Sequence, residues 1–372
     1  MRWILALLAA AAWAPGPSEL PRFRAQVLDD AHPDLWAMTL ADVNADGKLD
    51  VVSLAFDPSL VVWYENPTWK RRVLIEKEPK GLVAIQPIDA DGDGKTEFLL
   101  GAEYQHAPFN FKDGGGGVFL LKRPDDLEKP WTPVRVGTIP TLHRIHLLDG
   151  KAAVCSAQDG PTVVLRPPAK PFEEPWIRET VAEKLRTCHN TFSVDWDGDG
   201  KEEILTASRE GTTLWKRSAS AKWEPTLIAK GNGGASEVAV GRLPGGGRYV
   251  ATIEPHHGAE FCVYVQRDGA WQRKVLLVNK GGHTLWPADL TGTGTDSVLV
   301  GFVGAYSKAP GGPCWYVFHP TDREGEHWEK VLVDDKNTTG EDGACADLNG
   351  DGRIDAVSAG GRHVKIYWNE GR

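Results

Sequence analysis

Four nonapeptides carry the densest chemistry in the chain. They are Asp42-Val-Asn44-Ala-Asp46-Gly47-Lys-Leu-Asp50, Asp89-Ala-Asp91-Gly-Asp93-Gly94-Lys-Thr-Glu97, Asp195-Trp-Asp197-Gly-Asp199-Gly200-Lys-Glu-Glu203 and Asp347-Leu-Asn349-Gly-Asp351-Gly352-Arg-Ile-Asp355. Each places side-chain oxygens at positions 1, 3, 5 and 9 and a glycine at 6. Ca²⁺ is a hard cation that takes six to eight oxygens, and a sharp glycine turn lets a short loop supply them. The pattern predicts up to four structural Ca²⁺ sites. Fourteen carboxylates occupy the ligand positions, and four Ca²⁺ ions would take the formal net charge of −9 to about −1. The acidity therefore implies metal rather than a basic partner. No basic stripe points to nucleic acid.

These phrases recur with weaker copies. Asp289-Leu-Thr291-Gly-Thr293-Gly294 has lost carboxylates, Leu147-Leu-Asp149-Gly150-Lys151 is shortened, and Gly241 to Gly247 keeps only turn residues. The seven starts have a mean period of about 51 residues, which with several short strands per unit is the signature of a β-propeller. Alternation and β-branched content divide each unit into four strands. In the first, strand A is Leu35 to Val43, B is Leu49 to Leu54, C is Leu60 to Tyr64 and D is Trp69 to Ile75. Strand D tends to open with tryptophan (Trp69, Trp131, Trp176, Trp223, Trp271, Trp328), which reads as packing. The last unit finishes on strand C, Val364 to Trp368, and Phe23 to Leu28 has the pattern of the missing outer strand. The fold expected is all-β: one seven-bladed propeller over residues 22–372, with four-stranded antiparallel blades and the ring closed by the N-terminal strand. Closure removes edges that would invite aggregation.

The calcium phrases join strands A and B and share one face. On the other face inner strands begin. Counting back six residues from each phrase reaches Trp36, Val83, His189, Ala235, His283 and Glu341, and the shortened unit offers His143 and His146. The B-to-C connections add Glu103 with His106, and Glu254 with His256 and His257. Imidazoles with a carboxylate make a transition-metal site or an acid/base set. His189, His283, Glu254, His256 and Glu341 are the candidate catalytic residues, with a second divalent metal, Zn²⁺ or Mg²⁺, expected among them. The plain alternative is that each histidine caps a turn. Two long connections, 101–117 with Tyr104, Phe109 and Phe111, and 301–313, lie on this face and suit binding loops.

The calcium phrase, Asp50-Val-Val and Val61-Val-Trp-Tyr-Glu-Asn resemble the FG-GAP/VCBS repeat propellers, of which integrin α-subunit heads are familiar relatives. That resemblance implies fold and calcium more than function. Ile253-Glu254-Pro-His256-His257-Gly258 and Gly282-His283-Thr-Leu-Trp286-Pro-Ala-Asp289 resemble the propeller part of aldos-2-ulose dehydratase and its bacterial relatives. This implies metal-assisted elimination of water from keto-sugars such as anhydrofructose. Two functions follow. The leading one is a calcium-stabilised propeller whose His/Glu-lined axial pocket takes a carbohydrate or other extracellular ligand; the alternative is a metal-dependent lyase on keto-sugars.

Residues 1–14 read as a secretory signal, with Arg2, a short apolar run and cleavage near 12–14. The run is short of the roughly 20 residues that span a bilayer, so a secreted or periplasmic monomer without a membrane span is expected. The five cysteines form no CxxC. They read as buried thiols, with Cys155 and Cys188 the one pair worth testing for a disulfide.

Overall fold

The computed structural model describes residues 20–104 and 115–372. The segment read as an export signal lies outside the described residues, as do His106, Phe109 and Phe111. Among the described residues every regular element is a strand, and no helix is long and apolar enough to cross a membrane.

Twenty-eight strands form seven four-stranded antiparallel sheets. Numbered in chain order, blade 1 is β2–β5 (Leu35–Ala41, Asp50–Ala55, Leu60–Glu65, Lys70–Glu76). Blade 2 is β6–β9 (Ala84–Ile88, Glu97–Ala102, Gly117–Lys122, Thr132–Thr138), and blade 3 is β10–β13 (Leu142–Leu148, Ala152–Ala157, Gly160–Arg166, Ile177–Leu185). Blade 4 is β14–β17 (Asn190–Val194, Glu203–Ser208, Gly211–Arg217, Trp223–Ala229), and blade 5 is β18–β21 (Glu237–Arg242, Arg248–Glu254, Glu260–Arg267, Ala270–Val278). Blade 6 is β22–β25 (Gly282–Ala288, Ser297–Phe302, Cys314–Pro320, Trp328–Asp334). Blade 7 joins β26–β28 (Asp342–Ala346, Asp355–Gly360, His363–Asn369) to β1 (Phe23–Asp29). β1 pairs with β28 from Phe23↔Asn369 to Val27↔Lys365, so the N-terminal strand closes the ring as expected. First-unit boundaries differ from the sequence reading by one or two residues.

The core lies between blades. Val52, Leu54 and Trp63 of blade 1 pack with Phe98, Leu100 and Trp131 of blade 2, all buried. Each such side chain contributes about 1.5–3 kcal/mol on burial. Every residue of β3, β7, β11, β15, β23 and β27 is buried, because sheet neighbours cover both edges and blades cover both faces. The outer strands are largely exposed and carry charge, as in Lys70-Arg71-Arg72, which discourages edge pairing. Their tryptophans pack as predicted: Trp69 lies 6.2 Å from Trp368 of blade 7, and Trp328 lies 5.0 Å from Tyr249 of blade 5.

Asparagines latch blades together. Asn66 Nδ2 donates to Leu49 O at 3.0 Å and, across the blade boundary, to Leu348 O at 2.7 Å. Asn369 repeats this with Ile354 O at 3.0 Å and Leu290 O at 2.9 Å. All five cysteines are free thiols, Cys155 and Cys188 among them.

Candidate metal centre on the propeller axis

The inner strands set the site. β2, β10 and β22 each open with a register shift, between Leu35 and Ala37, Leu142 and Arg144, and Gly282 and Thr284. The residues passed over are Trp36, His143 and His283. A bulge re-aims a side chain, and bulges are common beside functional sites. In blade 4, His189 immediately precedes β14, with its N–H donating to Ala207 O at 3.0 Å. Blade 5 contributes His256 and His257 from the β19–β20 connection, where His257 adopts a φ of 46°. A non-glycine residue in that region is uncommon, and such strain collects at functional sites.

Five imidazoles converge on the axis. The His189 ring centroid lies 4.3 Å from His143, 5.2 Å from His256, 4.6 Å from His257 and 5.0 Å from His283. His189, His257 and His283 each bring a ring nitrogen within 4.8 Å of the others. His189 Nε2 and His257 Nε2 are 2.8 Å apart. The Nδ1 atoms are held from behind. His189 Nδ1 lies 2.7 Å from Glu237 Oε1, His283 Nδ1 lies 2.8 Å from Glu341 O, and His143 Nδ1 lies 3.2 Å from His189 O. An acceptor at Nδ1 selects the tautomer that leaves the Nε2 lone pair toward the axis, as in carboxylate–histidine–metal arrangements.

Burial holds these rings neutral. It pushes His189 and His143 well below the ordinary histidine value, with the neighbouring imidazoles adding to the effect on His189 and Arg144 to that on His143. His283 falls to about 3 through burial and Arg144, and His256 to about 4 through burial and Arg209. His257 is lowered by burial and then by His283. The His189–Glu237 contact is therefore a hydrogen bond of a neutral ring. Burial raises Glu237 to about 8 and Glu341 to about 7, with Arg144 opposing both, and it raises Asp342. Neutral imidazoles backed by carboxyls that a cation would ionise are the donor set a borderline divalent metal takes, Zn²⁺ above Mg²⁺. His189, His257 and His283 fit as ligands.

Of the sequence-predicted catalytic residues, His189, His283, His256 and Glu341 meet here. The Glu341 side chain is 25% exposed and its Oε2 lies 3.7 Å from His283 Nδ1. Glu254 is placed elsewhere. Its carboxylate is buried in blade 5 and accepts from Tyr264 Oη at 2.6 Å, Thr252 Oγ1 at 2.8 Å, Asn232 N at 2.9 Å and Arg273 Nε at 2.9 Å. It ties three strands and a loop together. At the counted level Val83 and Ala235 are buried and apolar, while Trp36 stacks on Phe56 at 4.7 Å. His146 lies further along β10, bonded to Asn190 Oδ1 at 2.7 Å. Glu237 was missed although it stands two residues after the counted Ala235. The signal was a glutamate directly before the apolar run Val238-Ala239-Val240 of an inner strand.

The four acidic loops join β2–β3, β6–β7, β14–β15 and β26–β27 on the opposite face. Position 1 organises each turn: Asp195 Oδ1 accepts from Gly198 N at 2.7 Å and Oδ2 from Gly200 N at 3.0 Å, and Asp347 repeats this with Gly350 and Gly352, both at 2.8 Å. The position-6 glycines sit at φ 82–84° in all four loops, where a side chain would be strained. Position 9 is buried: Asp50 accepts from Val43 N and Asn66 N, and Asp355 from Leu348 N and Asn369 N. Burial and the neighbouring aspartates raise Asp50 to about 6 and Glu97 to about 7 and push Glu203 and Asp355 up as well. Oxygens of Asp89, Asp91 and Glu97 lie within 4.8 Å of one another, as do those of Asp195, Asp197 and Asp199. Mutually repelling carboxylates around a preformed turn fit Ca²⁺.

Residues 29–100 match the FG-GAP-like repeat family. Over 349 residues the chain is 24% identical to aldos-2-ulose dehydratase of Phanerodontia chrysosporium, a match covering 78% of this chain and 38% of that protein. The chain thus spans well under half of that relative. Among solved structures, BBS1N in complex with ARL6DN superposes with a TM-score of 0.59 at 10% identity, covering 95% of this chain and 98% of its own. An ancestral GH74 enzyme superposes with a TM-score of 0.59 at 11% identity, covering 91% and 45%. At such identities the two structures share the fold alone.

Proposed function

We propose that this chain is an exported propeller, stabilised by Ca²⁺ in its A–B loops, that holds one divalent metal at His189, His257 and His283 and eliminates water from a keto-sugar. The observation that carries this is the convergence of three neutral imidazoles on the axis, with His189 backed by Glu237 at 2.7 Å. The similarity to an aldos-2-ulose dehydratase supplies the reaction class. Bound there, a divalent cation would polarise the carbonyl of the sugar and acidify the adjacent C–H.

The residues of the chain divide the remaining work. Glu237, through His189, and the Glu341 carbonyl, through His283, hold the rings in place. Glu341, raised to about 7 and partly exposed, is matched to proton transfer near neutral pH. Its carboxylate takes the proton from the carbon beside the carbonyl. The C–H electron pair becomes the new C=C as hydroxide leaves the next carbon. The hydroxide takes the proton Glu341 then carries, so water and an enone result. Tyr306, 61% exposed, packs its ring at a tilt against His257 with centroids 4.6 Å apart.

The test is incubation of metal-loaded and chelated protein with anhydrofructose or a 3-keto-glucoside, followed by enone absorbance and metal analysis. Enone formed only by loaded protein, and lost in Glu341→Gln with metal content kept, is the expected result. Saturable binding without enone would reduce the site to a carbohydrate receptor. Metal content unchanged in the His189→Ala/His283→Ala double variant would refute the axial metal.

A further inference from the structure

We infer that the channel beneath the imidazole cluster binds a small organic acid, with its carboxylate seated on the guanidinium of Arg144. A cavity of about 350 Å³ occupies the channel, lined by residues of all seven inner strands. Ligand pockets run from about 300 to 1,000 Å³, so it has room for a small molecule. Its lining extends from His283 at the head of β22 to Gly150 and Glu202 in two A–B connections. Gly150 is exposed, so the cavity reaches the acidic-loop face.

Arg144 directly follows the bulged His143 on β10 and lines this cavity. It is 8% exposed, yet among the described residues its guanidinium makes no hydrogen bond and no ion pair. Its nitrogens are not sealed in by protein atoms, so they face the cavity. Arginine does not shed its proton, and buried charges are normally paired. Among the described residues, the other basic side chain as deeply buried obeys that rule: Lys365 Nζ lies 2.7 Å from Asp334 Oδ2. Glu237 and Asp342 line the channel too, but their oxygens are committed elsewhere. Glu237 holds His189 Nδ1 and Asn190 Nδ2, and Asp342 accepts from Met38 N at 3.0 Å and Gly343 N at 2.9 Å.

The unpaired cation sets the charge of the ligand, and its planar fork sets the shape. A guanidinium takes a carboxylate through two parallel N–H···O bonds. Arg144 is the one Lys or Arg among the described residues that line the cavity, so a doubly charged phosphate or sulfate would lack a second partner. The walls suit the remainder of an organic acid. Met38, Ile85 and Leu285 are buried and apolar, and Trp286 adds the face of an indole. Hydrocarbon laid against them leaves water, which is favourable. The inference rests on Arg144 and its cavity, and on neither the axial metal nor the elimination.

The probe is benzoate, with benzamide as its uncharged isostere, titrated by calorimetry into the full chain in calcium. Zn²⁺ is left out, so that no axial cation attracts the carboxylate. Saturable one-to-one binding of benzoate is expected, with benzamide at least tenfold weaker. Arg144→Gln should weaken benzoate at least tenfold. Arg144→Lys, which keeps the charge and loses the fork, should weaken it at least threefold and leave benzamide unchanged. No saturable binding of benzoate to wild type would mean that water and distant carboxyls suffice for the cation, and would overturn the proposal. Equal affinity for benzamide, or wild-type affinity for benzoate in Arg144→Gln, would overturn it as well. Should Arg144→Gln not fold, Arg144→Lys decides, because unchanged benzoate affinity there places the anion on some other cation. None of these outcomes bears on the enone assay.

Discussion

Replacing Glu237 by glutamine tests the metal centre through a residue that need not touch the metal. Once ionised, as metal binding requires, the carboxylate has two roles, accepting from His189 Nδ1 at 2.7 Å and from Asn190 Nδ2. Asn190 cannot turn to suit a new partner, because its Oδ1 already accepts from His146 Nε2 at 2.7 Å and Thr191 N at 2.8 Å. A glutamine oxygen facing His189 therefore sets its NH₂ against that of Asn190. The flipped amide donates to His189 Nδ1 instead and moves the ring proton to Nε2, which removes the lone pair a metal uses. Loss of such a supporting group costs about 10–100-fold in metal affinity, or about 1.4–2.7 kcal/mol. A pH signature comes with it. Burial holds the Glu237 proton up to about pH 8, and metal binding must release it. Wild-type Zn²⁺ affinity should thus climb by up to about tenfold per pH unit between 6.5 and 8, with a shallower slope in Glu237→Gln. Competition titration against a chromophoric chelator measures both. Affinity within twofold of wild type, with the slope unchanged, would refute the assignment of His189 as a ligand backed by Glu237.

Other expectations follow from the loops and latches. Asp197→Asn weakens a proposed calcium ligand and also loses an exposed ion pair with Lys216 Nζ at 2.9 Å, a kind of pair worth little, so Tm should fall further in calcium than in excess chelator, and equal losses in both would contradict the assignment. Asp195→Ala also removes acceptors for Gly198 and Gly200, so it should destabilise by about 0.5–2 kcal/mol even in chelator, and by more in calcium. Asp50 and Glu97, raised to about 6 and 7, stabilise the metal-free fold below their unfolded values and lose that contribution as pH rises through 6–7. Calcium should therefore raise Tm more at pH 8 than at pH 5.5, and an equal increment at both would contradict the assignment. Asn66→Ala strands the carbonyls of Leu49 and Leu348 in a buried site and should cost about 1–3 kcal/mol by denaturant unfolding, with Asn369→Ala comparable.

The architecture was legible because every blade writes the same local pattern. Strand alternation, the Asp-x-Asp-x-Asp-Gly turn and the Trp-led outer strand depend on near neighbours, and the surplus strand at the start matched the deficit at the end. Counting from the turns also brought His189, His283 and Glu341 to one level, since blades of one length begin their inner strands at one height. Which carboxylate joins the imidazoles depended on the fold. Glu254 and His256 are two residues apart, yet the carboxylate turns into blade 5 toward Tyr264 and Arg273, while the connection beyond it carries His256 and His257 to the axis. Glu237 reaches His189 from another blade. Bulges that swing His143 and His283 out of their ladders follow from how strands fit beside their neighbours. The acidic loops, the blades and the ring are thus properties of the sequence by itself. The imidazole cluster and the channel beneath it exist only once seven inner strands close around one axis, because convergence is a relation between blades that no local spacing encodes.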